Sequence, residues 1–359
     1  MKIAIYAIAL NESKHVDRFM DAIVAECGAD WVYVADTGST DDTVDRLEAR
    51  GANVVKISIK PWRFDDARNA ALAMLPDDID VCVSLDLDEV LQPGWRQEIE
   101  RVWTAGTTRL RYGFDWGAGI VFQYEKIHSR HGYRWFGPCH EYPVADRITE
   151  RWADTDMLLV VHKPDSTKSR GQYLDLLRIS TEENPSEPRN AFYYARELSW
   201  ANQWVDAIRE AKRYLELPRA TWPKERAYAM RVMAKCYMEM RDWPAALQWA
   251  RNACSEASDT REPWCLLAEI CYHTYRWAEM FGAAMSALYI SKREKLYTVD
   301  PAVWGFQPHD WAAISAWNLG MKDVALEHAK KCVEMSPDDM RLRQNLKMIE
   351  DDLKQGAAA

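Results

Sequence analysis

Two aspartates one residue apart, in Leu85-Asp86-Leu87-Asp88-Glu89-Val90-Leu91, are the most chemically suggestive feature of this sequence. On an extended segment residues i and i+2 face the same side, so Asp86 and Asp88 would point their carboxylates at one place. Hard oxygen ligands of this kind suit Mg²⁺ or Mn²⁺ bridging the phosphates of a nucleotide. Two further polar clusters follow short apolar runs: Asn11-Glu12, and Asp36-Thr37-Gly38-Ser39-Thr40-Asp41-Asp42-Thr43. Asp36 is placed to accept hydrogen bonds from a base or ribose, and Arg68 and Asn69 supply donors one turn into a helix. Each cluster has a plainer use: Ser39 or Thr40 can cap the next helix, with Gly38 setting the turn. Three carboxylate-bearing strand ends in one half of the chain nevertheless point to a ligand site. No Gly-x-Gly-x-x-Gly fingerprint or P-loop occurs, which argues against a dinucleotide enzyme and a P-loop kinase.

A second stretch, Lys126-Ile127-His128-Ser129-Arg130-His131-Gly132-Tyr133-Arg134-Trp135, is basic and aromatic within an acidic half. Lys126, Arg130 and Arg134 could hold a diphosphate or an anionic acceptor, and Trp135 or Tyr133 could stack on a sugar or base. The plainer reading is a solvated hairpin with one buried tryptophan.

The elements that must position these residues are legible in the apolar periodicity. Ile3–Leu10, Trp31–Asp36, Asn53–Ser58 and Val81–Leu85 read as strands, and Val16, Phe19, Met20, Ile23, Val24 and Cys27 recur at helical spacing. An Ala-rich helix spans Asp65–Leu75, and Pro93-Gly94 opens another that ends near Trp103. Strands alternating with helices imply βαβ units, a Rossmann-like α/β domain and a mostly parallel sheet, with ligands at the strands' carboxyl ends. From Thr107 to His162 short aromatic strands with Gly turns suggest an antiparallel extension at the sheet edge.

The second half is helical and periodic. Ala211, Ala250, Ala284 and Ala329 are each preceded, sixteen residues earlier, by Ala195, Ala234, Ala268 and Ala313. Trp204, Trp243 and Trp277 stand seven residues before the first three, and Ala207, Ala246, Met280 and Ala325 four before each. Small residues at fixed places let paired helices approach closely, while the tryptophans fill the gaps between units. The pattern resembles tetratricopeptide repeats, with Gly320 at the last turn. The division expected is a nucleotide-binding domain over 1–165, a linker helix over 166–188 and an all-α repeat domain over 189–355.

Taken in order, Leu10-Asn11-Glu12, Asp36 to Thr43, Phe64-Asp65-Asp66-Ala67-Arg68-Asn69 and Leu85 to Leu91 resemble family 2 glycosyltransferases of the GT-A fold. The subgroup they are most similar to carries a tetratricopeptide-like C-terminal half. Gly137-Pro138-Cys139-His140-Glu141 and Val160-Val161-His162 extend the resemblance. It implies that Asn11, Glu12 and Asp36 line the nucleotide and that Asp86 reaches the ribose and metal-bound water. It further implies that Asp88 binds Mn²⁺ or Mg²⁺, that His162 completes the metal site, and that Glu141 is the base that deprotonates the acceptor. Two departures stand out: only His140-Glu141 occupies the place of the usual acidic pair, and His162 is followed by Lys163-Pro164-Asp165 rather than an aromatic and a glycine. The implied activity is inverting transfer from a UDP-sugar to a hydroxyl or thiol. A saccharide is the expected acceptor, with a peptide side chain or a hydroxymethylated DNA base as alternatives.

Composition narrows these options. Of 359 residues, 46 are basic and 55 acidic, for a net charge of −9, and 48% are hydrophobic, as in a soluble globular protein. Residues 1–165 carry 19 basic and 28 acidic groups, whereas 166–359 carry 27 of each. A protein that binds nucleic acid mainly through its phosphates would show a basic face instead. The eight cysteines form no Cys-x-x-Cys pair and read as reduced core thiols of a cytoplasmic protein. Ile3–Leu10 reads as a strand rather than a signal segment, and no apolar run is long enough to span a membrane. Two competing readings remain. A nucleotidyltransferase would need a Gly-rich loop after the first strand, where Asn11-Glu12 stands. A repeat scaffold with an inactive transferase half would use the helices to hold a partner or a second copy of the chain.

Overall fold

The computed structural model describes residues 1–165 and 171–358. They fall into two compact units: Met1–Glu182 together with Lys295–Tyr297, and Glu183–Glu294 together with Thr298 onward. The expected linker helix over 166–188 begins in residues 166–170, outside the described residues.

The first unit runs β1 (Ile3–Ala9), α1 (Ser13–Cys27), β2 (Val32–Asp36), α2 (Thr43–Ala49), β3 (Asn53–Lys56), α3 (Phe64–Ala73), β4 (Val81–Ser84) and β5 (Glu89–Leu91). It continues with α4 (Trp95–Val102), β6 (Arg109–Gly117), β7 (Ile120–Ser129), β8 (Tyr133–Phe136), β9 (Tyr142–Ala145), β10 (Trp152–His162) and α5 (Tyr173–Glu183). Among the described residues eight strands form one sheet, in the order β3-β2-β1-β4-β7-β6-β10-β5. The first four are parallel. Strand β7 is antiparallel to β4, and β6 and β10 restore the direction of β1. The central β1 and β4 are buried along almost their whole length, as parallel strands covered on both faces must be, and their near-continuous apolar runs follow from that. Helix α1 packs Val16, Phe19, Met20, Ile23 and Cys27 into the core along one stripe.

The region after Thr107 differs from the expectation of short edge strands. Strands β6, β7 and β10 have nine, ten and eleven residues and belong to the main sheet; the four-residue β8 and β9 form a separate pair. In β6 the buried Leu110, Tyr112 and Phe114 alternate with the partly buried Arg111, Gly113 and Asp115, as on a strand with one face in the core. The short β5 pairs antiparallel with β10, placing Glu89 opposite His162.

The second unit contains α6 (Pro188–Trp200), α7 (Trp204–Glu216), α8 (Pro223–Glu239), α9 (Trp243–Glu256), α10 (Arg261–His273), α11 (Trp277–Tyr289), α12 (Gln307–Asn318), α13 (Lys322–Met335) and α14 (Met340–Ala358). The paired alanines mark four helix hairpins, α6–α7 to α12–α13, and all eight are buried. Trp204, Trp243 and Trp277 are the first residues of α7, α9 and α11; Trp243 stacks on His273 of the next hairpin, 5.5 Å between ring centres. Each hairpin turn has three residues, and its middle one is left-handed: Asn202 (φ 60°), Arg241 (φ 60°), Tyr275 (φ 54°) and Gly320 (φ 77°). In all four, the third turn residue donates its N–H to a carbonyl five residues back: Gln203 to Leu198, Asp242 to Tyr237, Arg276 to Cys271 and Met321 to Ala316. This is the Schellman ending, which satisfies carbonyls the helix leaves open.

All eight cysteines are buried, and none is in a disulfide. Among the described residues no helix is long and apolar enough to cross a membrane.

Candidate active site

Strands β1, β2, β4, β6 and β10 all end on one edge of the sheet, and the singled-out residues gather there. At the end of β2, Asp36 is fully buried, and its carboxylate accepts the N–H groups of Gly38 (3.1 Å) and Ser39 (3.1 Å). After β1, Asn11 is left-handed at φ 54°; its Oδ1 accepts the Thr40 N–H at 2.8 Å and its own N–H goes to Ser39 Oγ at 2.9 Å. Glu12 donates its N–H to Thr43 Oγ1 at 2.7 Å. The two loops after β1 and β2 are thus tied into one rim.

The Asp86-Leu87-Asp88 segment is a turn, not the extended run expected, because the Glu89 N–H folds back onto the Asp86 carbonyl at 2.9 Å. The two aspartates consequently meet different partners. Asp86 receives Arg68 Nη2 at 2.7 Å on one oxygen and Lys126 Nζ at 3.2 Å on the other, and its N–H donates to Glu89 Oε2 at 3.0 Å. Lys126 also reaches Glu89 Oε1 at 2.9 Å, and Arg68 Nε donates to Glu141 Oε1 at 2.5 Å. Two buried cations and three carboxylates therefore form one network. Burial opposes the charge on Asp86, but Arg68 and then Lys126 overcome it and hold its carboxyl well below the usual range. Burial, reinforced by Asp86 and opposed by Lys126, pushes Glu89 up to about 7. The Asp86 side chain keeps 35% of its surface exposed, so a ligand can reach it.

Asp88 faces His162, with Oδ2 3.2 Å from Nε2, and its carbonyl accepts the Lys163 N–H at 2.7 Å. Burial lowers the His162 pKa, but the Asp88 carboxylate outweighs it and the net shift is upward. Adjacent ligands on a six-coordinate Mg²⁺, with bonds of about 2.1 Å, stand about 3 Å apart, so this pair has the spacing to share a hard divalent ion. Asp86 has both oxygens on cations, and among the described residues no three His, Cys, Asp or Glu groups converge as a ready ligand set. The donors present thus fit two protein ligands, with other positions left to water or phosphate oxygen.

Helix α3 holds the loop that carries Glu141. Asp65, buried and clasped by Arg63 Nε and Nη2 (3.1 and 3.0 Å), accepts the Gly137 N–H at 2.9 Å, while the Phe64 N–H reaches the Pro138 carbonyl at 3.1 Å. The Asn69 amide makes two bonds to the Trp135 backbone, at 3.0 and 2.8 Å. Trp135 is buried under Arg68, with the guanidinium carbon 4.9 Å from the ring centre, and donates its indole N–H to the Tyr6 hydroxyl at 2.7 Å. That hydroxyl meets His128 Nε2 at 2.7 Å, and because Nδ1 faces the Ser129 carbonyl at 2.8 Å, Nδ1 carries the proton. The basic, aromatic stretch therefore divides: Lys126 enters the network and Trp135 supports it, whereas Arg130 binds the Leu75 and Pro76 carbonyls and the exposed Arg134 lies over Phe136. Glu89 and Asp65 went unassigned in sequence; Glu89 sits inside the singled-out acidic run, but its link to Lys126 spans 37 positions.

No protein-family model matches the chain. A curated relative, the Uncharacterized glycosyltransferase RP128 of Rickettsia prowazekii (strain Madrid E), is 32% identical over 105 residues. The match covers 29% of this chain and 34% of that protein, so the chain spans about a third of the relative's length. Solved structures with some likeness include YrrB, described as a TPR protein with an unusual peptide-binding site, at TM-score 0.41 and 15% identity over 50% of this chain and 84% of that one. MamA from Desulfovibrio magneticus RS-1 has TM-score 0.38 and 13% identity over 47% and 87%. These scores are low, and the repeat architecture rests on the hairpins' own geometry. In sequence, one stretch of the chain is similar to a protein bearing the name glycosyltransferase.

Proposed function

We propose that the chain is a family 2, GT-A-type glycosyltransferase that moves a sugar from a UDP-sugar to an acceptor hydroxyl or thiol, with inversion and with a divalent metal. The observation that carries the reading is the Asp88–His162 pair beside a charge network on Asp86, at the carboxyl edge of a four-stranded parallel array. The similarity to the Rickettsia protein supports the reaction class.

In this reading the rim of Asn11, Glu12 and the loop folded by Asp36 lines the uridine, and Asp86 meets the ribose. Asp88 and His162 hold Mn²⁺ or Mg²⁺, which neutralises charge on the leaving diphosphate. Arg68 and Lys126 keep Asp86 ionised and fixed, and Arg68 orients Glu141. Glu141 takes the proton from the acceptor as its oxygen or sulfur attacks the anomeric carbon, while the bond from that carbon to the diphosphate oxygen breaks. A saccharide is the acceptor that best fits this reading, and the helical hairpins supply a surface for it or for a second copy of the chain.

The test is calorimetric titration with UDP, UDP-glucose, UDP-N-acetylglucosamine and GDP-mannose, with and without Mn²⁺. Uridine-specific, metal-dependent binding that disappears in Asp88→Asn is expected, with Glu141→Gln keeping donor affinity and losing transfer. Absence of nucleotide binding under every condition overturns the enzyme reading, and unchanged binding by Asp88→Asn removes Asp88 from the metal site.

A further inference from the structure

At the tip of the β6–β7 hairpin, Ala118 (φ 50°) and Gly119 (φ 79°) form a two-residue turn with both centres left-handed, the type I′ geometry that suits strand twist. Just before it the pairing slips. Asp115 faces Val121, yet Gly117 faces Ile120, so Trp116 is one residue extra on its strand. Such a bulge re-aims its side chain and is over-represented beside active sites. Here it sets the Trp116 indole against His162, 4.5 Å between ring centres, with Phe114 behind at 6.2 Å. The register of β6 with β10, Val161 against Asp115, brings Trp116 and His162 to the same level of the carboxyl edge. Despite these contacts the side chain is 45% exposed, in contrast to buried Phe114 two residues earlier.

We infer that Trp116 is the platform on which the donor's sugar ring stacks, an assignment that rests on the glycosyltransferase reading above. Order along the edge supports it. From β2, whose end carries Asp36, to β6 is four strand spacings, about 19 Å at about 4.8 Å each. The uridine rim lies at the β2 end and the Asp86–Asp88 turn follows β4 between them, so the ring next to the diphosphate falls beside His162 and Trp116, and the base does not. The π face of an indole carries negative charge density, which attracts the positively polarised C–H face of a pyranose.

The experiment uses the full chain with Mn²⁺ and compares UDP with UDP-glucose and UDP-N-acetylglucosamine. Trp116→Leu keeps apolar bulk and removes the π face. It is expected to weaken at least one UDP-sugar about fivefold, a stacking-sized effect, with UDP affinity unchanged. Trp116→Phe restores most of that loss, because it returns a π face to the same place. Equal affinity of wild type and Trp116→Leu for every UDP-sugar overturns the assignment while leaving the glycosyltransferase reading intact. So does a parallel loss of UDP itself, which would place the ring on the nucleotide. A wild type that binds no uridine nucleotide overturns both.

Discussion

Removing the Arg68 charge probes the network most directly. Arg68→Gln keeps a polar side chain but withdraws the cation shared by Glu141, 10% exposed, and Asp86, 35% exposed. Deleting one partner of a buried ion pair costs about 3–5 kcal/mol, and the Asp86 share is discounted because solvent screens it. Losing the guanidinium over Trp135 adds about 1 kcal/mol. The expected cost near pH 7 is therefore about 4 kcal/mol, confined to the first unit. Its pH dependence has a definite sign. Because Asp86 is depressed in the folded state, its stabilisation is present above an unfolded pKa of about 4 and is lost as pH falls below that. The gap between wild type and variant is then full at pH 7 and narrows on acidification. Two units need not unfold together, so the measurement is amide exchange of the β4 peptide rather than a global melt. Arg68→Lys should recover part of the loss. Exchange in β4 unchanged by Arg68→Gln at pH 7, or a deficit that grows toward acid, would refute the reasoning.

Two further perturbations test the scaffold. Burial pushes His128 down to about 4, so between that value and an unfolded pKa of about 6.5 the unfolded chain binds a proton the folded chain refuses; stability of the first unit should fall by up to about 3 kcal/mol across that window as pH drops, and His128→Gln should flatten the slope in β4 exchange. In the repeat unit, Arg241→Gly and Tyr275→Gly should each raise stability by about 0.5–1 kcal/mol, whereas Gly320→Ala should lower it by about 1 kcal/mol, read as the urea midpoint of that unit's transition; a loss on introducing glycine would mean that the side chains, not the backbone, hold the turns.

What the sequence disclosed follows from which interactions are local. Strands β1 and β4 were legible because both of their faces are covered, and the helix hairpins because buried alanines recur sixteen residues apart. Strand β5 has three residues inside an acidic run and offers no period to read. The extended reading of Asp86 to Asp88 missed the backbone turn closed by Glu89, and the partner of Glu89 is a lysine from another strand. Lys126 stood out as a cation, but its charge is internal to the network rather than offered outward. Gly320 announced the last hairpin turn; Asn202, Arg241 and Tyr275 did not announce theirs, because the closing hydrogen bonds impose the left-handed backbone on whatever residue is there.

The eight buried thiols bear on how this protein can be handled. A thiol attacks as its anion, and burial pushes Cys82, Cys271 and Cys332 each up to about 12. At neutral pH the anion of such a group is on the order of one part in 10⁵, behind a wall of side chains that admits no bulky reagent. Those three thiols are therefore poor targets for thiol reagents, and the other five are buried as well. A lone cysteine placed at exposed Ala118 would take a fluorescent or spin label by itself, with no native cysteine removed, and would report on the hairpin tip next to Trp116.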